Sequence, residues 1–430
     1  MSDRLPSPAT METGFTPGDA GPTRSAAFQK RLRQRYAAER RFRVAGLTAI
    51  AISIAMLVVL LVTIAINGVG GFQRVELAVP VDLANSGIAG DATTLAGSGA
   101  IQSLEAQGLP QVVSAAAERL DPAAAEYVQP GAWRAVAQKI ADDPALLRTQ
   151  QTFWLPVEGN LAEAYSGAGD PQLQRLAARL KSEGLLDKRF DAGFLARSDA
   201  TEPQDAGIWG ALKGSILTMI VTLLLAFPIG VLAALYLEEY APKNRWTDII
   251  EVSINNLAAV PSIIFGLLGL AVFLTLFPNL RSAPLIAGMT LALMIMPVIV
   301  ITGRNAIKAV PPSIRDGALA LGASPVQVVF HHILPLALPG ILTGTIIGMA
   351  RALGETAPLL LIGMRAFVAN PPDGLTSPAT VLPVQIYLWS DEVNRGFVER
   401  TSAAIIVLLL VLLAMNASAI YLRNKFEKRW

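Results

Sequence analysis

The sequence predicts an all-α membrane protein with six transmembrane helices and a mostly helical extracytoplasmic domain between the first and second of them. Composition supports this, since the 430 residues are 53% hydrophobic and only 16% charged, which is unusual for a soluble chain. The apolar residues also gather into runs of about 20, the length that crosses a hydrocarbon core of about 30 Å. A long stretch of ordinary soluble composition follows the first run.

Six runs have the length and low charge of a membrane span. They cover residues 44–66, 214–237, 249–277, 283–302, 338–363 and 402–422. The first run is too long for the core of a signal peptide and has no close cleavage site, so we expect it to remain as an anchor. The chain has no cysteine, which excludes disulfides, thiolate metal sites and cysteine nucleophiles.

Basic residues predict the orientation of the spans. A cluster of them precedes the first span and contains one acid, Glu39. The basic residues are Arg24, Lys30, Arg31, Arg33, Arg35, Arg40, Arg41 and Arg43. Such a cluster beside a span stays in the cytoplasm. Six spans return the C-terminus to the same side, where Arg423, Lys425, Lys428 and Arg429 lie. We therefore expect a multi-pass protein with both termini in the cytoplasm.

The spans divide the chain into a basic leader at 1–43, an anchor helix at 44–66, an extracytoplasmic insertion at 67–208 and a membrane core at 209–430. The insertion is long enough to fold as a domain. Its stretches WRAVAQKI and LQRLAARLKSEGLL have helical spacing of apolar residues, whereas VELAVPVDL alternates like a strand. We find no metal-ligand cluster, phosphate loop or nucleophile–base pair in it, so a structural or docking role is the simplest interpretation.

The sequence predicts no catalytic site, no metal and no cofactor in this chain. No phosphate loop of the form G-x-x-x-x-G-K-[ST] occurs, and the cytoplasmic segment 303–336 is too short for a catalytic domain. Any ATP would therefore be hydrolysed by a separate chain. The two histidines, His331 and His332, point about 100° apart on a helix, so we interpret them as interface or packing residues.

The cytoplasmic segment 303–336, called the coupling segment below, predicts two short helices joined by a turn. A Pro-Pro pair stops the preceding element, and Ser313 can cap the next helix. Gly322 is expected to end that helix. A second short helix is expected from about Pro325 to Pro335, where a membrane helix would start.

The coupling segment resembles the coupling loop of ABC importer permeases, which reads EAA, three residues, Gly, nine residues, I-x-L-P. The matching residues here are Asp316, Gly317, Ala318, Gly322, Leu334 and Pro335. Two departures are the Asp-Gly pair in place of Glu-Ala and His332 at the Ile position. The resemblance implies that residues 316–335 insert into a groove of the ATPase subunit; the alternative interpretation is an ordinary amphipathic cytoplasmic hairpin.

The fifth run contains two charges, Arg351 and Glu355. Arg351 lies about 18 Å along a helix beyond Pro339, near the middle of a hydrocarbon core of about 30 Å. Charges in lipid are costly, so both residues should face the bundle interior or a water-filled path. Their i,i+4 spacing predicts one helix face. Either they form a self-neutralising pair that fixes helix packing, or Arg351 offers its planar donors to a tetrahedral oxyanion in a translocation path.

Three strings resemble segments of phosphate permeases of the PstA kind. They are RALGETAP at 351–358, YLEEYAP at 236–242 and AAVPSIIFGLLGL at 258–270. The resemblance covers the chain from about residue 209 onward and implies a type I ABC importer permease core in the bacterial inner membrane. It favours phosphate as the substrate, with Arg351, Glu355 and Thr356 in the pathway.

The third string also supports two local predictions. Pro261 should free a backbone carbonyl and bend the third span. Gly266 and Gly269 should permit close contact between helices.

The resemblance further implies three partners: a PstC-type permease, a dimer of PstB-type ATPase subunits that uses ATP, and a periplasmic phosphate-binding protein. We expect no nucleic-acid partner. Alternatives are a permease for another oxyanion such as sulfate or molybdate, the PstC-type sister subunit, a membrane-anchored sensor, and a passive channel. The missing cytoplasmic output domain argues against the sensor, and the coupling-loop spacing argues against the channel.

Overall fold

The computed structural model describes residues 26–88, 99–364, 367–394 and 396–426. The chain divides into two compact units, Met1–Thr63 and Ile64–Trp430. The predicted basic residues Arg24, Lys428 and Arg429 lie outside the described part of the chain.

Helix α1 spans Ala26–Gly71. It continues through the predicted boundary between leader and anchor at residue 43, because Ala, Arg, Gln and Leu, all strong helix formers, fill its N-terminal part. The apolar side chains of residues 44–62 are exposed along it. An exposed apolar surface of this length is expected of a helix that contacts lipid.

The insertion is built around a three-stranded antiparallel sheet in the order β2–β1–β3. The strands are β1 Gln73–Asp82, β2 Gln150–Pro156 and β3 Leu186–Phe190. In the register, Glu76 of β1 lies opposite Pro156 and Asp187. Residues 75–79 of β1 are all buried, and since successive side chains alternate between faces, both faces of the central strand are covered.

Among the described residues of the insertion, seven short α-helices surround this sheet. They are α2 Ala100–Ala106, α3 Leu109–Leu120, α4 Pro122–Ala125, α5 Trp133–Asp142, α6 Gly159–Tyr165, α7 Pro171–Ser182 and α8 Gly193–Ala196. The predicted helices in WRAVAQKI and LQRLAARLKSEGLL are confirmed as α5 and α7, and the predicted strand as β1. More residues lie in helices than in strands, but the sheet forms the centre. The sequence of β3, LDKRF, does not alternate between apolar and polar residues, so the sequence did not predict this strand.

The membrane core contains the remaining helices. They are α9 Trp209–Leu235, α10 Arg245–Ala258, α11 Ser262–Leu268, α12 Leu274–Leu276, α13 Pro284–Lys308, α14 Pro312–Ala320, α15 Pro325–Gln327, α16 Leu334–Gly354, α17 Ala357–Leu361, α18 Leu382–Ser390 and α19 Gly396–Phe426. Helices α9, α13 and α16 pack together around buried residues such as Ala226, Ile295, Ile299 and Ile341.

Five helices of the described chain are long and apolar enough to cross a membrane, or six if one bent pair counts as a single span. The bent pair occupies the predicted third span, residues 249–277. There the structure has two helices, Arg245–Ala258 and Ser262–Leu276, that meet at 104°. Pro261 lacks an N–H and disfavours helical geometry before it, so the predicted bend is confirmed, whereas the count of six spans stays a prediction.

The predicted fifth span, residues 338–363, is displaced in the structure. Its α-helix begins at Leu334, close to the predicted start, and ends at Gly354; it continues directly from the π-turn before it, so the candidate span runs from Pro325 to Gly354. A proline is tolerated in the first turn of a helix. The helix stops at Gly354 because Pro358 cannot donate to the carbonyl four residues earlier. Arg351 therefore lies in the last turn of its helix and not in the middle.

Candidate functional site

The coupling segment forms two helical pieces joined by a tight turn. Helix α14 begins at Pro312 after Pro311, and no side chain caps it, so the prediction that Ser313 is the cap is wrong. Gly322 turns the chain with a φ of +85°, a conformation that glycine adopts readily. The next piece is capped by Ser324, whose hydroxyl accepts from the backbone N–H of Gln327 while the Gln327 side chain accepts from the N–H of Ser324.

The predicted ATPase-binding residues divide between two faces of this segment. Asp316, Gly317 and Gly322 are exposed, whereas Ala318 is buried. Leu334 and Pro335 are half-buried where the segment joins the long helix. Apolar side chains accompany the exposed residues: Leu319, Leu321, Val326 and Phe330 are all exposed. An exposed apolar face on a short, well-capped helical turn is suited to binding a protein groove.

The π-turn Val328–Ile333 carries both histidines and lies beside α14. His331 and His332 are exposed and line one cavity of about 760 Å³ together with Ile314 and Pro335. The described residues contain no group of three metal-binding side chains. The interpretation of the histidines as interface or packing residues stays a prediction.

An ionic cluster joins α14, the first helix of the coupling segment, to the membrane helices α9 and α13. Glu238 and Glu239 lie in the π-turn Tyr236–Tyr240 that follows α9. Glu239 forms an ion pair with Arg315 of α14. Glu238 lies 3.4 Å from Arg304 Nε and 3.6 Å from Lys308 Nζ, both at the end of α13.

Sequence reasoning missed this cluster. No local pattern assigns a role to Arg304, Lys308 or Arg315, and the two acids entered only as part of the YLEEYAP resemblance. The available signal was an acidic pair and several basic residues assigned to the same side of the membrane. The Glu239 side chain is only 6% exposed. Because an unpaired buried charge is costly, the cluster restricts how α14 can move relative to α9.

The charged pair of the fifth run is formed, although its setting differs from the prediction. Arg351 Nε lies 3.4 Å from Glu355 Oε1. Glu355 lies beyond the helix, with extended backbone angles of −79° and 128°, so the pair bridges a helix break and does not share one helix face. The Arg351 side chain is 44% exposed. Among the described residues, its terminal guanidinium nitrogens have no hydrogen-bond acceptor, so they remain available to a ligand.

The short helix α17, which follows Thr356, packs closely on α11. A Cβ at Gly266 would lie 2.6 Å from Pro358 Cα, and a Cβ at Gly269 would lie 3.0 Å from Ile362. The close contacts predicted for both glycines are therefore confirmed.

Two family models match the chain. Residues 226–430 match the binding-protein-dependent transport system inner membrane component. Residues 29–175 match a domain of unknown function.

Several relatives are similar to the membrane core. The phosphate transport system permease protein PstA 1 of Mycobacterium tuberculosis is 30% identical over 224 residues, or 52% of this chain and 72% of that protein. PstA of Haemophilus influenzae is 32% identical over 224 residues, covering 52% and 78%. PstC of the same organism is 33% identical over 250 residues, covering 52% and 77%.

A solved structure of the MetNI methionine ABC transporter, in an inward-facing conformation, also matches. It is 19% identical and covers 51% of this chain and 98% of that chain, with a TM-score of 0.40. A TM-score of 0.40 is too low to establish a shared fold, so the type I fold stays a prediction.

Proposed function

The chain belongs to the family of binding-protein-dependent transport system inner membrane components, and on this basis we propose that it is the permease subunit of an ATP-driven phosphate importer. Membership makes it a multi-pass ABC importer permease subunit. Phosphate as the substrate is the finer proposal. It is supported by about 30% identity to phosphate permeases and by the chemistry of the charged pair.

The observation that carries the phosphate proposal is the Arg351–Glu355 pair at the helix break. Arg351 has unoccupied planar donors that suit a tetrahedral oxyanion. Glu355 could accept a hydrogen bond from a protonated phosphate oxygen, which sulfate lacks at neutral pH. We propose that the pair is closed when the site is empty and opens around phosphate, with Thr356 as a further polar neighbour.

The proposed mechanism is alternating access driven by a separate ATPase. The chain from Pro325 to Gly354 is one candidate span, about 45 Å long at the rise of a helix. It joins the coupling segment at one end to Arg351 at the other. ATPase closure acting on residues 316–335 would therefore be transmitted along this helix to the charged pair and change which side of the membrane the pair faces.

The family implies an ATPase and a substrate-binding protein as partners. We propose that these are a PstB-type ATPase dimer, which uses ATP, and a periplasmic phosphate-binding protein, and that a PstC-type permease forms the other half of the pathway. We also propose the bacterial inner membrane as the location, with both termini in the cytoplasm. This chain would need no cofactor of its own.

Replacing Arg351 tests the substrate site. Arg351→Ala should reduce phosphate uptake by the assembled complex at least about a hundredfold, because the oxyanion would lose its planar, charged hydrogen-bond donors. Arg351→Lys should keep the charge but lose the planar donors, and should recover only part of the uptake. Uptake of radiolabelled phosphate into proteoliposomes is the measurement, and co-purification with the partners shows assembly.

Arg245→Ala is the matched control, since Arg245 is exposed and has no ion-pair partner among the described residues. It should transport normally. Normal uptake by Arg351→Ala would refute the assignment.

A second candidate is the PstC-type sister subunit, which the 33% identity to PstC of Haemophilus influenzae favours. The strings YLEEYAP and RALGETAP favour the PstA kind. Co-expression with a PstA-type or a PstC-type partner separates the two, because only the complementary partner should restore uptake. Excess sulfate or molybdate in the same assay should leave phosphate uptake unchanged; competition would indicate another oxyanion.

A further inference from the structure

One buried arginine ties the base of the insertion to the membrane core. Arg400 is 2% exposed and donates to the carbonyl oxygens of Gly71 at 2.7 Å and Pro203 at 2.8 Å. It also donates to Asp191 Oδ2 at 3.0 Å. The guanidinium lies 4.9 Å from the ring of Phe194. With four partners around one side chain, the insertion is held in a defined position against the core.

These contacts bring the ends of three membrane helices to the base of the insertion. Gly71 ends α1, and Arg400 lies in the second turn of α19. The backbone N–H of Trp209, the first residue of α9, donates to the carbonyl of Arg197 at 2.9 Å. Residues 190–209 therefore lie beside the ends of these three helices.

The exposed apolar side chains of the insertion lie within residues 190–209. Among residues 72–88 and 99–208, the large hydrophobic side chains that are exposed are Phe190, at 67%, and Leu195, at 41%. Phe190 pairs in register with Gln73, two residues beyond the end of α1. Leu195 lies in α8, whose Phe194 carbonyl accepts from the N–H of Ile208 at 3.0 Å.

The apolar surface continues onto the membrane helices themselves. Ile66 and Val69 near the end of α1 are exposed, as are Trp209 at the start of α9 and Val398 at the start of α19. Tryptophan is enriched at the boundary between lipid tails and head groups. The two apolar residues of the insertion are thus neighbours of a surface that contacts lipid.

We propose that the base of the insertion rests on the bilayer, with Phe190 and Leu195 inserted into the head-group region of the adjacent leaflet. The bilayer is the occupant that fits best, because both residues lie near the ends of apolar helices that themselves expose apolar side chains and a tryptophan. The insertion is then a domain seated on the membrane and not one that stands clear of it. This inference does not depend on the transported substrate.

The absence of cysteine from the sequence permits a direct test. Phe190→Cys and Leu195→Cys would each be labelled with an environment-sensitive fluorophore in the assembled complex in liposomes. Ser114→Cys, on an exposed position of α3, is the control. Lipids with a quencher near the head-group end of the tail should quench labels at 190 and 195 several-fold more than the label at 114, whereas aqueous iodide should show the reverse order.

Two outcomes would overturn the proposal. Labels at 190 and 195 that respond to iodide as the control does would show that the base faces water. Labels shielded from both quenchers would show that another protein subunit covers the patch. The two positions are labelled separately, so one variant still tests the proposal if the other fails to fold. Phosphate uptake by the labelled complexes reports independently on the proposed function.

Discussion

At the scale of single residues, this permease subunit holds several charges that are paired inside the protein. Glu239 pairs with Arg315 although its side chain is only 6% exposed, and Asp191 is 2% exposed among three arginines. A buried charge is tolerated only where partners replace its hydration. Removing the partner of either residue should therefore lower the stability of the folded protein.

A double-mutant cycle on Glu239→Gln and Arg315→Gln should give a coupling energy of about 1–3 kcal/mol, as expected for residues in one partly buried network. The measurement is thermal unfolding of the complex, with ATPase stimulation by the binding protein as a functional readout. The matched control is the exposed pair Glu39 and Arg43, with side chains 59% and 74% exposed. Its coupling should not exceed about 0.5 kcal/mol, and equal values for both pairs would contradict the role of burial.

The carboxyl of Asp191 predicts a pH dependence. Burial alone would raise its pKa, but the hydrogen bond and charge of Arg197, with the charges of Arg400 and Arg74, lower the pKa below its ordinary value of 3.8. Because the folded state lowers this pKa, Asp191 contributes stability above the ordinary value, and that stability is lost as pH falls through the folded pKa.

Asp191→Asn should therefore cost about 3–5 kcal/mol at pH 7, since it leaves buried arginines without their carboxylate. The cost should begin to shrink as the pH falls below the ordinary pKa, where the carboxyl is protonated in the unfolded chain, and should disappear only as the pH falls through the lowered pKa of the folded state. Thermal unfolding between pH 3 and 7 measures both effects. Glu118→Gln, an exposed acid on α3, should change stability little, and a constant cost of Asp191→Asn at every pH would refute the argument.

At the scale of elements, proline and glycine decide where the membrane helices break. Pro261 turns the chain by 104°, and Pro358 helps to end the long helix at Gly354. Prolines in the first turn of a helix, such as Pro325 and Pro335, cause no break. The π-turn at 328–333 lies inside the coupling segment, and the π-turn at 236–240 contacts this segment through the Glu239–Arg315 ion pair; π-turns are common at functional sites.

The turn at Gly322 predicts a backbone effect. A Cβ at this position would meet nothing within 4 Å, but φ is +85°. The obstacle to a larger residue is therefore backbone strain and not a lack of space. Gly322→Val should cost about 1–2 kcal/mol and reduce co-purification of the ATPase. Gly322→Asn should be tolerated better, because Asn adopts positive φ more readily.

Gly317→Ala is the matched control for this turn. Gly317 also has open space around it, without a positive φ, and the coupling-loop pattern EAA has Ala at this position, so alanine there should bind the ATPase normally. Unchanged ATPase binding and transport by Gly322→Val would count against the coupling role of the turn.

At the scale of the whole molecule, the second unit has separate apolar cores for the insertion and for the membrane helices. A third, smaller cluster joins them. In it, the rings of Phe72 and Phe194 lie 5.6 Å apart, and those of Trp389 and Phe397 lie 5.7 Å apart. Together with Arg400, these rings give the insertion a rigid attachment. The insertion can then restrain the ends of the helices that it contacts.

The sequence by itself determined the class of the protein and the places of its main parts. A run of about 20 apolar residues is long enough, as a helix, to cross the hydrocarbon core of a bilayer. Such runs therefore locate the spans without any knowledge of packing. The spacing from Asp316 to Pro335 and the string RALGETAP likewise predicted the coupling segment and the charged pair. Helical and strand periods in the insertion predicted α5, α7 and β1 because each is long enough to show its period.

Only the tertiary structure decided which charges meet and where helices end. Glu239 and Arg315 are 76 residues apart, and Asp191 and Arg400 are 209 apart, so no local pattern reveals either pair. The helix end at Gly354 moved Arg351 from a predicted mid-span position to the last turn. Proximity between distant residues depends on how helices pack in three dimensions, and a single sequence records periods along the chain but not those contacts.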